Sequence, residues 1–186
     1  MVGLTELWLP ILLTAVLVFF ASYAIHTVLG YHANDFRKLP NEDGVMDALR
    51  AFNLAPGDYH MPRPPSSSAM RDPNFMAKMK RGPVAVMTIF RPGDVGMGSR
   101  LAQWFVFCLV VGLFAAYLTS RAVRPGAPYM EVFRFAGTVT FVGFSLAQWP
   151  NTIWYNRDWQ TSLRTTIDAL IYGLLAGGAF GWLWPR

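Results

Sequence analysis

The chain has 186 residues, 53% of them hydrophobic and 15% charged, with a formal net charge of +5. Its apolar residues are gathered in long blocks separated by polar ones, which excludes an ordinary soluble domain and points to a membrane protein. No recognition motif accompanies the positive balance, so it is read as lipid attraction and topology bias and not as nucleic-acid binding.

The first predicted element is "LWLPILLTAVLVFFASYAIHTVL", Leu7 to Leu29, which contains no Lys, Arg, Asp or Glu. About 23 helical residues reach roughly 35 Å, enough to cross a hydrocarbon core. No basic residue precedes the run, which favours a retained helix over a cleaved signal peptide. Residues 30–100 follow as a polar segment. In "NEDGVMDALRAF", Asn41 is placed to cap a short amphipathic helix with Val45, Leu49 and Phe52 on one face. "LAPGDYHMPRPPSSS" reads as extended and turn-rich. "RDPNFMAKMKRG" is a second short helix, with Asp72 as N-cap, Pro73 at the first position and Gly82 at the end. Its apolar face of Phe75, Met76 and Met79 is bordered by Lys78, Lys80 and Arg81, which suits a membrane surface or a partner groove. "PVAVMTIF" has the composition of a strand, and a lone strand needs a partner. "RPGDVGMGSR" then turns the chain into the second span, Leu101 to Ser120. The third span runs from Tyr129 to Trp149 and is closed by Pro150; the fourth runs from Leu163 to Trp184.

The expected fold is an all-α membrane protein of four transmembrane helices, with a long, partly irregular cytoplasmic segment between helices one and two. It divides into the first helix (1–29), the cytoplasmic segment (30–100) and a three-helix unit (101–186). Arg37, Lys38, Arg81, Arg91, Arg100, Arg157 and Arg164 fall on one side of the spans. Arg121, Arg124 and Arg186 fall on the other, with Arg134 ambiguous. The positive-inside rule then puts the long segment in the cytoplasm and both termini in the periplasm.

Small residues recur at helical spacing. Ala169, Gly173, Gly177 and Gly181 form one stripe, Gly112 and Ala116 belong to a second, and Gly143 to a third. Such stripes let helices approach closely in lipid, either within the chain or against another protein. Trp149, Trp154, Tyr155 and Trp159 have the makings of an interfacial aromatic belt.

With this topology, Tyr23, His26, Gln103, Gln148, Arg164 and Asp168 share one layer at the cytoplasmic face. Asp168 is the residue of interest, because an ionised carboxylate at that depth needs a partner. Arg164, four residues earlier, is the expected one; a proton-relay or ligand-binding carboxylate is the alternative. His26 and His32 are six apart, about 240° around a helix, and so do not share a face. No HExxH or CxxC pattern is present, and Cys108 is the only cysteine. No metal, cofactor or catalytic residue is therefore expected. A single axial haem or chlorophyll ligand needs only one histidine, and His26, then His32, would be the candidates.

The segments "HTVLGYHANDFRKLPNEDGVMDALRAF", "PGDYHMP" and "MKRGPVAVMTI", with the spans that follow, resemble a group of small, uncharacterised bacterial integral membrane proteins. The likeness covers most of the chain and lies in the order of its segments. It implies a bacterial inner membrane and supplies no activity or site residue. The leading expectation is a non-catalytic accessory or scaffold subunit, partnered by the lipid bilayer and other membrane-protein subunits. The alternatives are an oligomeric small transporter or channel using Asp168, and a redox subunit with a His-ligated cofactor.

Overall fold

The computed structural model describes residues 2–93 and 96–186. Its elements in chain order are α1 (Trp8–Tyr23), α2 (Glu42–Arg50), β1 (Gly57–Met61), α3 (Pro73–Arg81), β2 (Ala85–Ile89), α4 (Met97–Ala122), α5 (Tyr129–Ser145), α6 (Trp149–Tyr155) and α7 (Trp159–Trp182). Contacts divide them into two compact units: the described residues up to Arg37 together with those from Gly96 onward, and Lys38 to Gly93. The expected turn "RPGDVGMGSR" includes residues 94–95, which lie outside the described residues.

The first unit is a ring of helices in which α1 lies against α4 and α7, α4 against α5, and α5 against α7. Three helical stretches are long and apolar enough to cross a membrane: Leu4–Val28, Met97–Ala122 and Tyr129–Tyr155. Only 28%, 28% and 33% of their most apolar windows are buried within the protein. The remainder presents side chains such as Phe20, Val106, Phe114 and Leu118 outward, an arrangement suited to lipid and costly in water. α7 is comparably long, at 24 residues, but carries Asp168 and several glycines and is not among the three.

The tightest seam joins α5 and α7, and glycine makes it possible. A Cβ added at Gly173 would lie 2.8 Å from the Gly137 carbonyl oxygen, and one at Gly177 would lie 2.8 Å from that of Phe133. Only residues without a side chain let two backbones come this close. Gly181 packs on the Tyr129 ring, Gly143 on Val111, and Gly112 on Ile11 of α1. Ala116 and Ala169 are fully buried. The small-residue stripes are thus used between helices of this chain. Gly137, a main contributor, was missing from the residues singled out by spacing.

The third span differs from its expected form. α5 stops at Ser145, a single 3-10 turn covers Leu146–Gln148, and α6 begins at Trp149 with Pro150 in its first turn. Pro150 therefore opens a helix where it was expected to close one, because a first-turn proline gives up no intrahelical hydrogen bond. Asn156, in the left-handed conformation, ends α6, and Asp158 caps α7 by accepting from the Gln160 N–H at 2.9 Å. Three of the four aromatic-belt residues, Trp149, Trp154 and Tyr155, thus lie on α6, and Trp159 opens α7.

In the second unit both expected helices form with their caps. Asn41 accepts from Gly44 N–H at 3.3 Å, and Asp72 accepts from Asn74 and Phe75 N–H at 2.7 and 3.2 Å. The all-α expectation is corrected here: β2 pairs antiparallel with β1, Tyr59 opposite Met87. Strand β1 lies in "PGDYHMP", whose flanking prolines masked it as an irregular stretch. Long-range pairing with β1 gives β2 the partner its composition required.

Candidate functional site

The site is built where the first helix ends. After Tyr23 the helix widens to a π turn over Ala24–Val28, with Leu29 N–H bonded to the Ala24 carbonyl at 3.1 Å. Side chains take up the carbonyls of the preceding turn: Thr27 Oγ1 donates to Tyr23 O at 2.6 Å, and His26 Nδ1 lies 2.9 Å from Ser22 O. Gly30, at φ +64°, then breaks the helix, a conformation that costs an L residue a steric clash. Two tight turns follow, closed by Ala33 N–H to Gly30 O and Asp35 N–H to His32 O.

This reversal folds Tyr31, His32 and Asp35 onto the first half of α7. His32 Nε2 lies 2.9 Å from Asp168 Oδ2, and His32 Nδ1 lies 2.7 Å from Asp35 Oδ2. Tyr31 donates its hydroxyl to Asp168 Oδ1. Asp35 Oδ1 accepts from Arg164 at 2.6 Å and from Thr161 at 3.3 Å. The His26 and His32 rings stack with centroids 4.4 Å apart and planes 8° from parallel. The expectation that these histidines are kept apart is corrected: 240° describes a continuous helix, and Gly30 ends the helix between them. The expected Arg164–Asp168 pair is corrected as well, since Arg164 bridges to Asp35 and Asp168 is satisfied by Tyr31 and His32.

Asp168 is 3% exposed, whereas His26 is open on one side. Burial pushes the Asp35 carboxyl up, but the hydrogen bonds from His32 and Arg164 outweigh it and hold the group below the usual carboxylate range. Burial, reinforced by the hydrogen bond to Asp168, pushes the Tyr31 hydroxyl well above its ordinary value, so it stays a donor.

Ligating atoms of His26, His32 and Asp168 lie within 4.8 Å of one another. The outer contacts decide what they offer. Nδ1 of His26 faces a carbonyl, so that ring donates from Nδ1 and presents an Nε2 lone pair, whereas His32 stands between two carboxylates and its Nε2 carries either the proton shared with Asp168 or a metal in that proton's place. Tyr31 occupies one oxygen of Asp168 and leaves Oδ2 for the cluster. Asp35 is paired with Arg164, so Asp168 is the carboxylate whose charge His32 or a bound cation must face. Beside the cluster lies a cavity of about 520 Å³ whose wall includes Trp104, Phe107, Phe144, Gln148 and Arg157.

Of the other expected site residues, Gln148 and Asp168 line this cavity, while Gln103 is exposed and Tyr23 is 59% exposed. Trp154, Tyr155 and Trp159 are exposed at 76%, 58% and 57%. Trp149 instead turns inward and donates Nε1–H to Thr166 at 3.1 Å. Tyr31, Asp35 and Thr161 were not singled out from the sequence. The legible signal for the first two was "LGYHAND", a helix-breaking glycine followed at once by Tyr, His and Asp.

No family model, curated protein or solved structure matches this chain.

Proposed function

We propose that the chain is a four-span protein of the bacterial inner membrane that acts as a metal-ligating membrane subunit. His26 Nε2, His32 Nε2 and Asp168 Oδ2 hold one divalent transition-metal ion at the cytoplasmic ends of the helices. Two imidazoles and a carboxylate are a donor set for zinc or ferrous iron, with coordination positions left toward the cavity.

The observation that carries this reading is the pair of outer hydrogen bonds at Nδ1, His26 to Ser22 O and His32 to Asp35. They orient both rings and favour the tautomer that a metal requires. The stack brings the two rings together in parallel planes, and one ring tilts about its Nδ1 hydrogen bond for both Nε2 lone pairs to meet a single ion. The α5–α7 glycine stripe is filled by the chain itself and so offers no docking face to a scaffold's partner. The transporter reading rests on Asp168 alone and gives no role to His26 and His32, whose ring nitrogens lie beside that carboxylate.

Support for the fourth span comes from α7. Leu163, Ile167, Leu170 and Leu174 are 42–52% exposed on one stripe, and the opposite face is buried against α5 and α1. A helix of this length with a lipid-compatible outer stripe spans beside its neighbours. The balance of Lys and Arg then sets the termini in the periplasm.

The test is elemental analysis of the tag-free protein in mild detergent. The expected result is about one zinc or iron per chain, as for a mononuclear site, with loss of the metal in His26→Ala, His32→Ala and Asp168→Asn at unchanged helicity. A folded wild-type protein that neither retains metal nor binds added Zn²⁺ or Co²⁺ would sink the proposal.

A further inference from the structure

The second unit poses a separate physical problem. Among the described residues from Lys38 to Gly93, not one is buried. Its elements nevertheless carry exposed apolar side chains: Val45 and Met46 of α2, Met76 and Met79 of α3 and Val86 of β2 are 36–48% exposed. A two-stranded sheet and two short helices without a core do not repay the entropy of ordering their backbone. Something outside the unit must cover the apolar side chains.

We propose that residues 73–90 lie on an anionic bilayer surface, with the apolar arc of α3 dipped into the headgroup region. Charge and geometry select this occupant. Between Pro73 and Gly93 the chain has four cations, Lys78, Lys80, Arg81 and Arg91, and no acid. Of the acids outside this stretch, Asp72 turns into the α3 N-terminus, Asp58 accepts from Thr88 at 2.6 Å, and Asp47 pairs with Arg50. At 100° per residue, Phe75, Met79 and Met76 span an arc of about 100°, with Lys78 beyond one border and Lys80 beyond the other. Flanking lysines of this kind extend their ammonium groups to lipid phosphates while their stems stay on apolar surface. Chain continuity adds to the case. The segment is tethered at both ends, by Leu4–Val28 and by Met97–Ala122, to helices able to cross a membrane, so a bilayer surface is present at high effective concentration. This inference does not depend on the metal.

The test uses the full chain in nanodiscs of phosphatidylcholine alone or with about a third phosphatidylglycerol, a typical anionic fraction. Amide hydrogen exchange over residues 73–90 is the readout. Each cation near an anionic surface biases docking about fivefold, so exchange should slow on the order of tenfold or more in the anionic discs. Salt near 1 M, where the Debye length is about 3 Å, should erase the difference. The triple variant Lys78→Glu/Lys80→Glu/Arg81→Glu should erase it too, and the milder Lys78→Gln/Lys80→Gln/Arg81→Gln should reduce it. Exchange within α2 serves as the control that the unit stays folded. Equal exchange in both disc types overturns the proposal, whether the segment is protected or not. So does a lipid difference that survives the charge changes. Protection that follows the number of chains per disc would assign the surface to a second copy and overturn it as well.

Discussion

Adjacent glycines on α7 offer a strict test of the bundle. A Cβ at Gly177 would stand 2.8 Å from the Phe133 carbonyl oxygen and 2.9 Å from its ring. A Cβ at Gly178 would meet nothing nearer than the Tyr129 hydroxyl at 3.7 Å. Ordinary contact begins near 3.4 Å, so Gly177→Ala forces α7 from α5 by roughly 0.6 Å, and the obstacle is a backbone carbonyl that cannot rotate away. Overpacking of this kind costs about 1–3 kcal/mol. Both variants gain the same helix propensity of about 0.8–1 kcal/mol over glycine. That gain cancels in the comparison, leaving Gly177→Ala less stable than Gly178→Ala by about 1–3 kcal/mol. Detergent-induced unfolding in mixed micelles, followed by circular dichroism, reads the difference directly. Equal midpoints for the two variants would refute the close α5–α7 seam.

Further expectations concern the site. Asp35→Ala removes the group that orients His32 and should weaken metal binding about 10–100-fold without abolishing it, measured by competition with a chromogenic chelator. Gly30→Ala places a side chain at φ +64° where no atom lies within 4 Å. Its cost of about 1–2 kcal/mol is conformational only, so Gly30→Asn should be milder in the same unfolding assay. Because the Asp35 carboxyl is held below its ordinary 3.8, its contribution to docking the loop is fully present above that pH. It is lost as pH falls through the lowered value. Hydrogen exchange of residues 31–36 should therefore be flat from neutral pH down to about 5 and accelerate, relative to a free peptide, only in more acidic solution.

Local chemistry was readable directly from the residues. Asn41 and Asp72 announced two helix starts, and Gly82 announced an end. The long apolar runs announced helices of membrane-crossing length, because apolar content and length alone decide that capacity. The strand β1 was hidden because its pairing with β2 is non-local and its proline neighbours dominate the local pattern. Pro150 misled for a related reason: proline signals an end and a beginning equally well, and only the preceding turn at Leu146–Gln148 distinguishes them.

The site itself was half legible. Asp168 stood out from the sequence because a carboxylate in an apolar helix must be satisfied somewhere. Its partners did not stand out, because counting angles along one helix assumes that the helix continues. Gly30 breaks it, and the reversal brings Tyr31 and His32 against a residue more than a hundred positions later. By itself the sequence determined where the long apolar helices lie, how the two short polar-segment helices are capped, and that one buried charge needed an answer. Only the tertiary structure decided what that answer is. The satisfaction of a buried charge is a property of the space around it, and that space is assembled here from the end of one helix, two tight turns and the inner face of another.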